Sequence, residues 1–255
     1  MKALMQKIFL GLVYFILYFP IVVLIVYSVN DAKFSLQWNG FSSRWYTELF
    51  HDRSLWTAFL HSLFLGLSAS LVATVLGLFG CVHLFLFRDH HRRTLYSLLL
   101  LLIIIPDLVL GVALLIFFNV SKINLGFSSL LIAHITFCIP FVILTINSRI
   151  YTLDRNIYFS AVDLGASPFI ALRKILLPLL WPAVLSAFLL CFTLSFDDVI
   201  ISYFVAGPDF NILPLAIYSL VRTGVTPELN ALCTITLAIS MLTVILSHKL
   251  SGKSL

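Results

Sequence analysis

The chain has 255 residues, of which 61% are hydrophobic and only 11% are charged. Since a soluble globular domain carries about 25% charged residues, this composition excludes a soluble fold of this size and predicts an integral membrane protein. The formal net charge of +5 comes from basic residues that are spread along the chain, so membrane topology explains it better than nucleic-acid binding does.

Apolar stretches long enough to cross roughly 30 Å of hydrocarbon recur along the chain. The first follows two lysines, as in a signal peptide, but it is longer than the apolar part of one, about 7–15 residues, and no cleavage motif follows it. We therefore expect it to remain as a span, and we predict an all-α integral membrane protein with six transmembrane helices. The predicted spans are 8–29, 60–87, 95–118, 126–148, 181–206 and 229–248.

The basic residues between the predicted spans are distributed unequally between the two sides of the membrane. Of the 16 lysines and arginines, eleven lie on the side that holds both termini and five on the other. Because an excess of Lys and Arg marks the cytoplasmic side, we expect both termini in the cytoplasm. Segment 87–93, FRDHHRR, then forms a cytoplasmic turn, in which we expect the two histidines to be solvated rather than bound to metal.

The second predicted span indicates how the helices pack. Small side chains recur in it at every fourth position in two series, which lets helix backbones approach closely where lipid is as apolar as the helices. We expect these residues to lie in helix–helix contacts. The two series are Ser62, Gly66, Ser70 and Thr74, and Ala69, Ala73, Gly77 and Cys81.

Segment 30–56, on the predicted outer side, is longer than a simple turn. It is rich in aromatic residues and mixed in charge. Its Trp38, Trp45 and Tyr46 are interpreted either as a belt at the membrane interface or as a docking surface.

Segment 206–230 also lies on the predicted outer side. Its stretch Ile212–Val221 is too short to span a membrane, so we predict an interfacial or re-entrant helix. A start signal for the last span follows: Thr226 as N-cap, Pro227 at the first helical position and Glu228 near the positive end of the helix.

A polar, glycine-broken stretch, DLGASPFIALRKILLP, occupies positions 163–178 on the predicted cytoplasmic side. We predict a short helix over 156–164, ended by Gly165 in the left-handed conformation, and a second helix capped by Ser167. We expect the second helix to stop at Leu177–Pro178. On physical grounds alone, this helix–glycine–helix elbow either lies on the anionic inner leaflet through its basic residues or docks another protein.

The longer stretch AVDLGASPFIALRKILLPLLWPAV resembles the cytoplasmic loop motif of ABC importer permeases. Gly165, Ile175 and Leu177–Pro178 match the motif, whereas Phe159 replaces its glutamate and Ser160 its first alanine. The resemblance covers nearly the whole chain, which looks in particular like the spermidine/putrescine permeases of the binding-protein-dependent type. The other stretches that carry it are SRWYTELF, PDLVLGVALL, FSSLLIAHITFCIPFV, FTLSFDDVIISYF and ILPLAIYSLVRTGVTPELNA.

The resemblance implies a type I importer in the bacterial inner membrane. Its partners would be a second permease subunit, an ABC ATPase dimer beneath the pore and a periplasmic polyamine-binding protein. ATP would be used by the ATPase, and this chain would bind no cofactor or metal and hold no catalytic residue. The implied organisation is a first helix and periplasmic loop over 1–59, a permease domain over 60–248 and a cytoplasmic tail over 249–255.

In such an importer, the elbow is a coupling helix that inserts into the ATPase. Because the glutamate of the motif is missing, we expect the contact to depend on apolar side chains. The expected coupling residues are Tyr158, Phe159, Asp163, Gly165, Ala166, Ser167, Phe169, Ile175 and Pro178.

Ionisable residues within spans cost roughly 2.5–3.5 kcal/mol each at a helix centre, so they are candidates for function. Acids in the third, fifth and sixth spans would line a route from the outside with negative charge, which suits a polycation that loses water on entry. The alternative is that they cap helices or pair with basic residues of a partner subunit. Adjacent residues on a helix point about 100° apart, so we do not expect both members of an Asp pair to face the route. The predicted pathway residues are Asp107, Asp197, Asp198, Glu228 and, for cation–π contact, Tyr203.

Several motifs are missing from the sequence. Without a P-loop the chain cannot bind ATP in that way, and without a hydrolase motif an intramembrane enzyme is disfavoured. A secondary carrier and an ABC permease for another solute remain as alternatives, although we find no internal repeat and no basic residue in the middle of the spans. We expect His61, His83 and His134, which have no obvious acidic partner, to pack or form hydrogen bonds. The four cysteines lack metal-ligand spacing, and we expect them to be buried.

Overall fold

A computed structural model of the chain describes residues 2–32, 37–86, 92–224 and 226–251. Within these ranges the structure consists of helices and one isolated β-bridge between Asn30 and Phe41, which confirms the all-α fold. The predicted histidine-containing turn lies mostly outside the described residues. The helices are α1 (Lys2–Tyr27), α2 (Arg44–His51), α3 (Arg53–Leu86), α4 (Arg92–Ile104), α5 (Asp107–Val120), α6 (Phe127–Ile150), α7 (Arg155–Asp163), α8 (Pro168–Ala171), α9 (Leu177–Asp197), α10 (Ile200–Val205), α11 (Leu213–Thr223) and α12 (Pro227–Ser251).

Five helical stretches of the described chain are long and apolar enough to cross a membrane, and α4 with α5 forms a sixth candidate that is bent by 106°. This agrees with the predicted number of six spans. One of the five stretches, Pro168–Asp197, is made of α8, a π-helical segment and α9. The others are Met5–Tyr27, Arg53–Leu86, Phe127–Ile150 and Pro227–Leu246.

The third predicted span, 95–118, is wrong as a single helix, because the chain turns sharply between α4 and α5. Pro106 has an extended backbone, with φ −58° and ψ 137°, and proline disfavours helical geometry at the residue before it. The carbonyl of Pro106 then accepts hydrogen bonds from the N–H groups of Val109 at 2.8 Å and Leu110 at 3.1 Å, which start α5. Asp107 therefore lies at a helix start rather than in the middle of a continuous span.

The fifth predicted span, 181–206, is wrong at both ends. The helix does not stop at Pro178, since α8 continues through the π-helical segment Leu172–Leu176 into α9. A helix that passes through a proline must change its hydrogen-bond pattern, and the π-helical segment directly before Pro178 provides this change. At the other end, α9 stops at Asp197 and the short helix α10 follows as a separate element.

Helix α3 packs against both α6 and α9 at the centre of the bundle. All eight small residues of the two predicted series are buried, which confirms that they form helix contacts. Of the three glycines in α3, Gly77 is the most closely packed, since a Cβ atom there would lie 2.5 Å from Cγ1 of Val142. At Gly66 a Cβ atom would lie 3.2 Å from the ring of Phe192. The glycines therefore set how closely these backbones approach.

The aromatic segment between α1 and α3 is held partly by its own side chains. Trp45 is buried and donates its indole N–H to the carbonyl of Asn30 at 2.8 Å. The hydroxyl of Tyr46 lies 2.7 Å from Oγ of Ser28. Trp45 supports the segment from within, contrary to its interpretation as part of a belt or docking surface, whereas Tyr46 is half-buried and Trp38 is exposed.

The stretch Ile212–Val221, which was predicted as a helix too short to span the membrane, forms most of α11. This helix is held to α3 where Ser62 Oγ accepts a hydrogen bond from Leu213 N at 2.8 Å.

The predicted start signal of the last span is confirmed. Thr226 Oγ1 accepts a hydrogen bond from Leu229 N at 3.3 Å and so caps α12.

Candidate functional site

The elbow, which consists of α7, residues 164–167 and α8, has a rigid turn at its centre. Gly165 has a φ of +94°, the left-handed region that glycine adopts without strain. Its N–H donates to the carbonyl of Val162 at 2.9 Å, and Ala166 N–H donates to the carbonyl of Ala161 at 3.0 Å. These two bonds form a Schellman motif, which satisfies the last carbonyl groups of α7. The predicted glycine-ended helix is confirmed.

The second half of the elbow begins with the predicted cap. Ser167 Oγ accepts a hydrogen bond from Ile170 N at 3.3 Å, and Pro168 is the first residue of α8. Because α8 runs on without a stop into α9, the elbow is continuous with a membrane-length helix.

The elbow presents an apolar surface to its surroundings. Leu164 at the tip is 89% exposed and Phe169 is 67% exposed. Tyr158 is buried, and its ring packs edge-on against that of Phe159 with 5.4 Å between centroids, so it supports the surface from behind. Of the predicted coupling residues, Phe159, Asp163, Gly165, Ser167, Phe169 and Pro178 are exposed, Ala166 and Ile175 are half-buried and Tyr158 is buried.

Asp198, the second aspartate of the pair between α9 and α10, faces the interior. Its backbone is extended, with φ −69° and ψ 123°, which breaks the helix. Its carboxylate turns back over the start of α10 and accepts hydrogen bonds from Ile201 N at 3.3 Å and Ser202 N at 2.8 Å. Only 8% of the side chain is exposed. Asp198 therefore caps α10.

Asp197, the last residue of α9, has a different environment. It is exposed, and Ser240 Oγ on α12 donates a hydrogen bond to it at 3.2 Å from Oδ2. Its carboxylate borders an open cavity of about 460 Å³. The expectation that the two neighbouring aspartates face different ways agrees with this geometry. The cavity is lined by Leu24, Asp197, Cys233, Thr236, Leu237, Ser240, Met241, Val244 and Ile245.

Asp107 begins α5, which packs against α10. The two helices approach closely at Gly111, where a Cβ atom would lie 2.8 Å from the ring of Phe204 and 3.3 Å from Cα of Ile201. This contact brings the half-buried Asp107 within electrostatic range of Asp198. Two acids at two different helix breaks thus interact electrostatically.

Glu228 lies away from these acids. It is half-buried in the first turn of α12, within electrostatic range of Asp52 and Glu48. Ser240, which contacts Asp197, is twelve residues further along the same helix, a distance of about 18 Å along the axis.

Tyr203 lies on α10 and is 55% exposed. Its ring packs edge-on against Tyr218 of α11 with 5.9 Å between centroids. The guanidinium of Arg222 lies 4.7 Å from the centroid of the Tyr218 ring, so this aromatic pair already accommodates one cation.

The sequence did not reveal the partner of His134. This buried side chain forms hydrogen bonds, as expected, but its Nε2 also lies 3.7 Å from Oδ2 of Asp198, so it does have an acidic neighbour. The nearest sequence signal was the run of polar residues Ser195, Asp197, Asp198 and Ser202 in an otherwise apolar stretch. Nothing in that run pointed to α6.

The cysteines form neither disulfides nor a metal site in the described part of the chain. All four are free; Cys81, Cys138 and Cys191 are buried and Cys233 is half-buried. No group of three or more His, Cys, Asp or Glu side chains among the described residues is arranged to hold a metal ion.

Comparison with known proteins places the chain in a family. Residues 73–254 match the family described as "Binding-protein-dependent transport system inner membrane component". The chain is 44% identical over 250 residues to the spermidine/putrescine transport system permease protein PotC of Haemophilus influenzae, covering 98% of this chain and 97% of the relative. It is 45% identical over 240 residues to PotC of Escherichia coli strain K12, covering 94% and 91%.

The fold is similar to that of a solved transporter with little sequence identity. A chain in the crystal structure of a bacterial ABC transporter that imports the acidic polysaccharide alginate superposes with a TM-score of 0.76 at 15% identity, covering 97% of this chain and 95% of that one. The expected ABC importer permease fold is thereby confirmed. The chain belongs to the family of binding-protein-dependent transport system inner membrane components and is a multi-pass permease subunit of the inner membrane.

Proposed function

We propose that the chain forms part of the pathway by which spermidine and putrescine enter the cell, with the energy supplied by a separate ATPase. Identities of 44% and 45% to permeases named for these two polyamines support the substrate class. The observation that carries the proposal is the position of Asp197, an exposed carboxylate at a helix break that borders a cavity of about 460 Å³.

The three aspartates have different roles, which follow from their different surroundings. The ammonium groups of a polyamine lose water on entering the membrane and need carboxylates in return. Asp197 accepts a hydrogen bond from Ser240 and keeps an exposed face for an ammonium group. Asp107 adds negative charge within electrostatic range of Asp198, and Asp198 caps α10 at the helix break.

The two remaining pathway residues act at the periphery. Glu228, with Glu48 and Asp52 in electrostatic range, raises the local concentration of polycations at the outer mouth. Tyr203 is exposed on α10 and offers its ring for a cation–π contact.

Uptake of labelled putrescine and spermidine by proteoliposomes that contain the complete transporter tests this route. Asp197→Asn and Asp107→Asn remove a charge while keeping the shape of the side chain, and we expect each to lower uptake by about tenfold or more. Asp209→Asn, in the exposed segment between α10 and α11, is the matched control and should transport normally. Normal transport by both pathway variants would refute the acidic route.

The elbow is the contact with the ATPase. Its support is the combination of the rigid Gly165 turn, the exposed apolar side chains of Leu164 and Phe169, and its continuity with α9. Phe159, at the position of the usual glutamate, contributes apolar contact in place of charge. The ATPase, and with it the elbow and both termini, lies in the cytoplasm, in keeping with the excess of basic residues on that side.

The other partners complete the importer. A second permease subunit supplies the opposite wall of the pathway, and a periplasmic polyamine-binding protein delivers substrate at the side that carries α2 and α11. Uptake that persists without the ATPase would favour a secondary carrier in place of this assembly.

A further inference from the structure

Buried polar side chains link three helices at the break between α9 and α10. His134 of α6 is 1% exposed, and its Nδ1 lies 2.6 Å from Oγ of Ser195 in α9. On the other side of the ring, Nε2 lies 3.0 Å from Oγ of Ser202 in α10. The hydroxyl of Ser202 in turn donates to Oδ2 of Asp198 at 2.8 Å. One imidazole ring therefore bridges the two sides of the break.

The directions of these hydrogen bonds follow from the available protons. Ser202 has one hydroxyl proton, which it donates to Asp198, so its oxygen accepts the Nε2–H of His134. In a neutral imidazole Nδ1 is then an acceptor, and the hydroxyl of Ser195 donates to it. A single series of bonds runs from Ser195 through His134 and Ser202 to Asp198, and each of these side chains is satisfied without a charge on the histidine.

This series fixes the backbone on both sides of the aspartate pair. Ser195 lies two residues before Asp197, and Ser202 lies four residues after Asp198. The end of α10 is tied to α6 by a further bond, in which Ser129 Oγ donates to the carbonyl of Val205 at 2.7 Å. Because these bonds hold the backbone on both sides of the break, they limit the directions in which the side chain of Asp197 can point.

We propose that His134 is a positioning residue for transport, which holds Asp197 toward its cavity by bridging Ser195 and Ser202. This role rests on the proposed function, since it acts through Asp197. The imidazole is buried among protein groups and does not itself contact the substrate. The sequence gives His134 no such role, because its two serine partners are 61 and 68 residues away along the chain.

The test uses uptake of labelled putrescine by the complete transporter, measured at equal amounts of assembled complex. His134→Leu removes both bonds of the ring, and we expect uptake to fall by about tenfold. His134→Gln keeps one donor and one acceptor and should restore most of the uptake. In an Asp197→Asn background, His134→Leu should cause no further loss, because residues that act through one another are not additive.

A milder pair of variants tests the same bridge if His134→Leu fails to assemble. Ser195→Ala removes the bond to Nδ1 of His134, whereas Ser186→Ala, in the same helix, removes only a bond to its own helix at the carbonyl of Pro182 (2.9 Å). We expect Ser195→Ala to lower uptake and Ser186→Ala to leave it unchanged.

The outcomes separate this role from the proposed pathway. If Asp197→Asn impairs uptake while His134→Leu and Ser195→Ala transport normally, the pathway stands and the positioning role is overturned. If the losses of Asp197→Asn and His134→Leu multiply in the double variant, His134 acts on something other than Asp197 and the positioning role is again overturned. Normal uptake by Asp197→Asn would overturn the positioning role, and normal uptake by both Asp197→Asn and Asp107→Asn would overturn the acidic route as well.

Discussion

Ser240 of α12 donates a hydrogen bond to the carboxylate of Asp197 at the end of α9, although 43 residues separate the two along the chain. The contact joins the last long helix to the helix break and borders the cavity that both residues line. It gives the exposed carboxylate a fixed neighbour without using up its capacity to accept further hydrogen bonds.

Removing the Ser240 hydroxyl tests whether this contact orients Asp197. We expect Ser240→Ala to lower uptake of putrescine by roughly threefold, the effect of one lost hydrogen bond. Thr234→Val, in the same helix, removes a hydroxyl that bonds only to its own helix at the carbonyl of Asn230, and it serves as the control. Equal uptake by the two variants would show that the Ser240 contact is incidental.

Substitutions of the two neighbouring aspartates should have different effects on the free energy of unfolding. Asp198→Ala removes a buried cap from α10 and should lower the free energy of unfolding by about 2 kcal/mol. Asp197→Ala removes an exposed carboxylate and should leave stability within about 0.5 kcal/mol. Thermal unfolding of the purified chain in detergent measures both, and an equal loss in the two variants would contradict the division of roles.

The turn at Gly165 should be needed for coupling rather than for ATP hydrolysis itself. Proline fixes φ near −65°, which is incompatible with the φ of +94° at this position. We therefore expect Gly165→Pro to lower the amount of putrescine taken up per ATP hydrolysed. Gly165→Asn is the control, because asparagine tolerates the left-handed region better than other side chains. A normal ratio in Gly165→Pro would refute the coupling role of the elbow.

Two glycines of α3 provide a matched pair for the central packing. A Cβ atom at Gly77 would lie 2.5 Å from Cγ1 of Val142, whereas one at Gly80 would lie 3.6 Å from Cδ1 of Ile143. Gly77→Ala should destabilise the fold by about 1–3 kcal/mol through overpacking, and Gly80→Ala should not. The midpoint of thermal unfolding distinguishes them, and the reverse order would show that α3 and α6 are not packed in this way.

Features that depend on neighbouring residues in the sequence were predicted well. The Schellman turn at Gly165, the cap at Ser167 and the start of α12 at Thr226 are local hydrogen-bond patterns with known residue preferences. The small residues of α3 were equally predictable, because their spacing of four already defines one face of a helix.

Features that depend on distant contacts were not predicted. The predicted span 181–206 joined α9 to α10, since hydropathy does not indicate the break at Asp198. There the carboxylate caps the next helix within a polar network that includes His134 of α6. Likewise, no residue pattern indicated the π-helical segment that lets the helix pass through Pro178. The break between α9 and α10 depends on hydrogen bonds between side chains about sixty residues apart. The passage through Pro178 depends on a change of helix type that leaves no residue signature.

The most direct test of the proposed transport is ATP-dependent uptake of labelled putrescine and spermidine by proteoliposomes that contain this chain, its ATPase, a second permease subunit and the binding protein. We predict uptake of both polyamines that requires ATP hydrolysis and stops when the ATPase is omitted. Uptake that continues without the ATPase, or failure of this chain to associate with any nucleotide-hydrolysing subunit, would contradict the proposal.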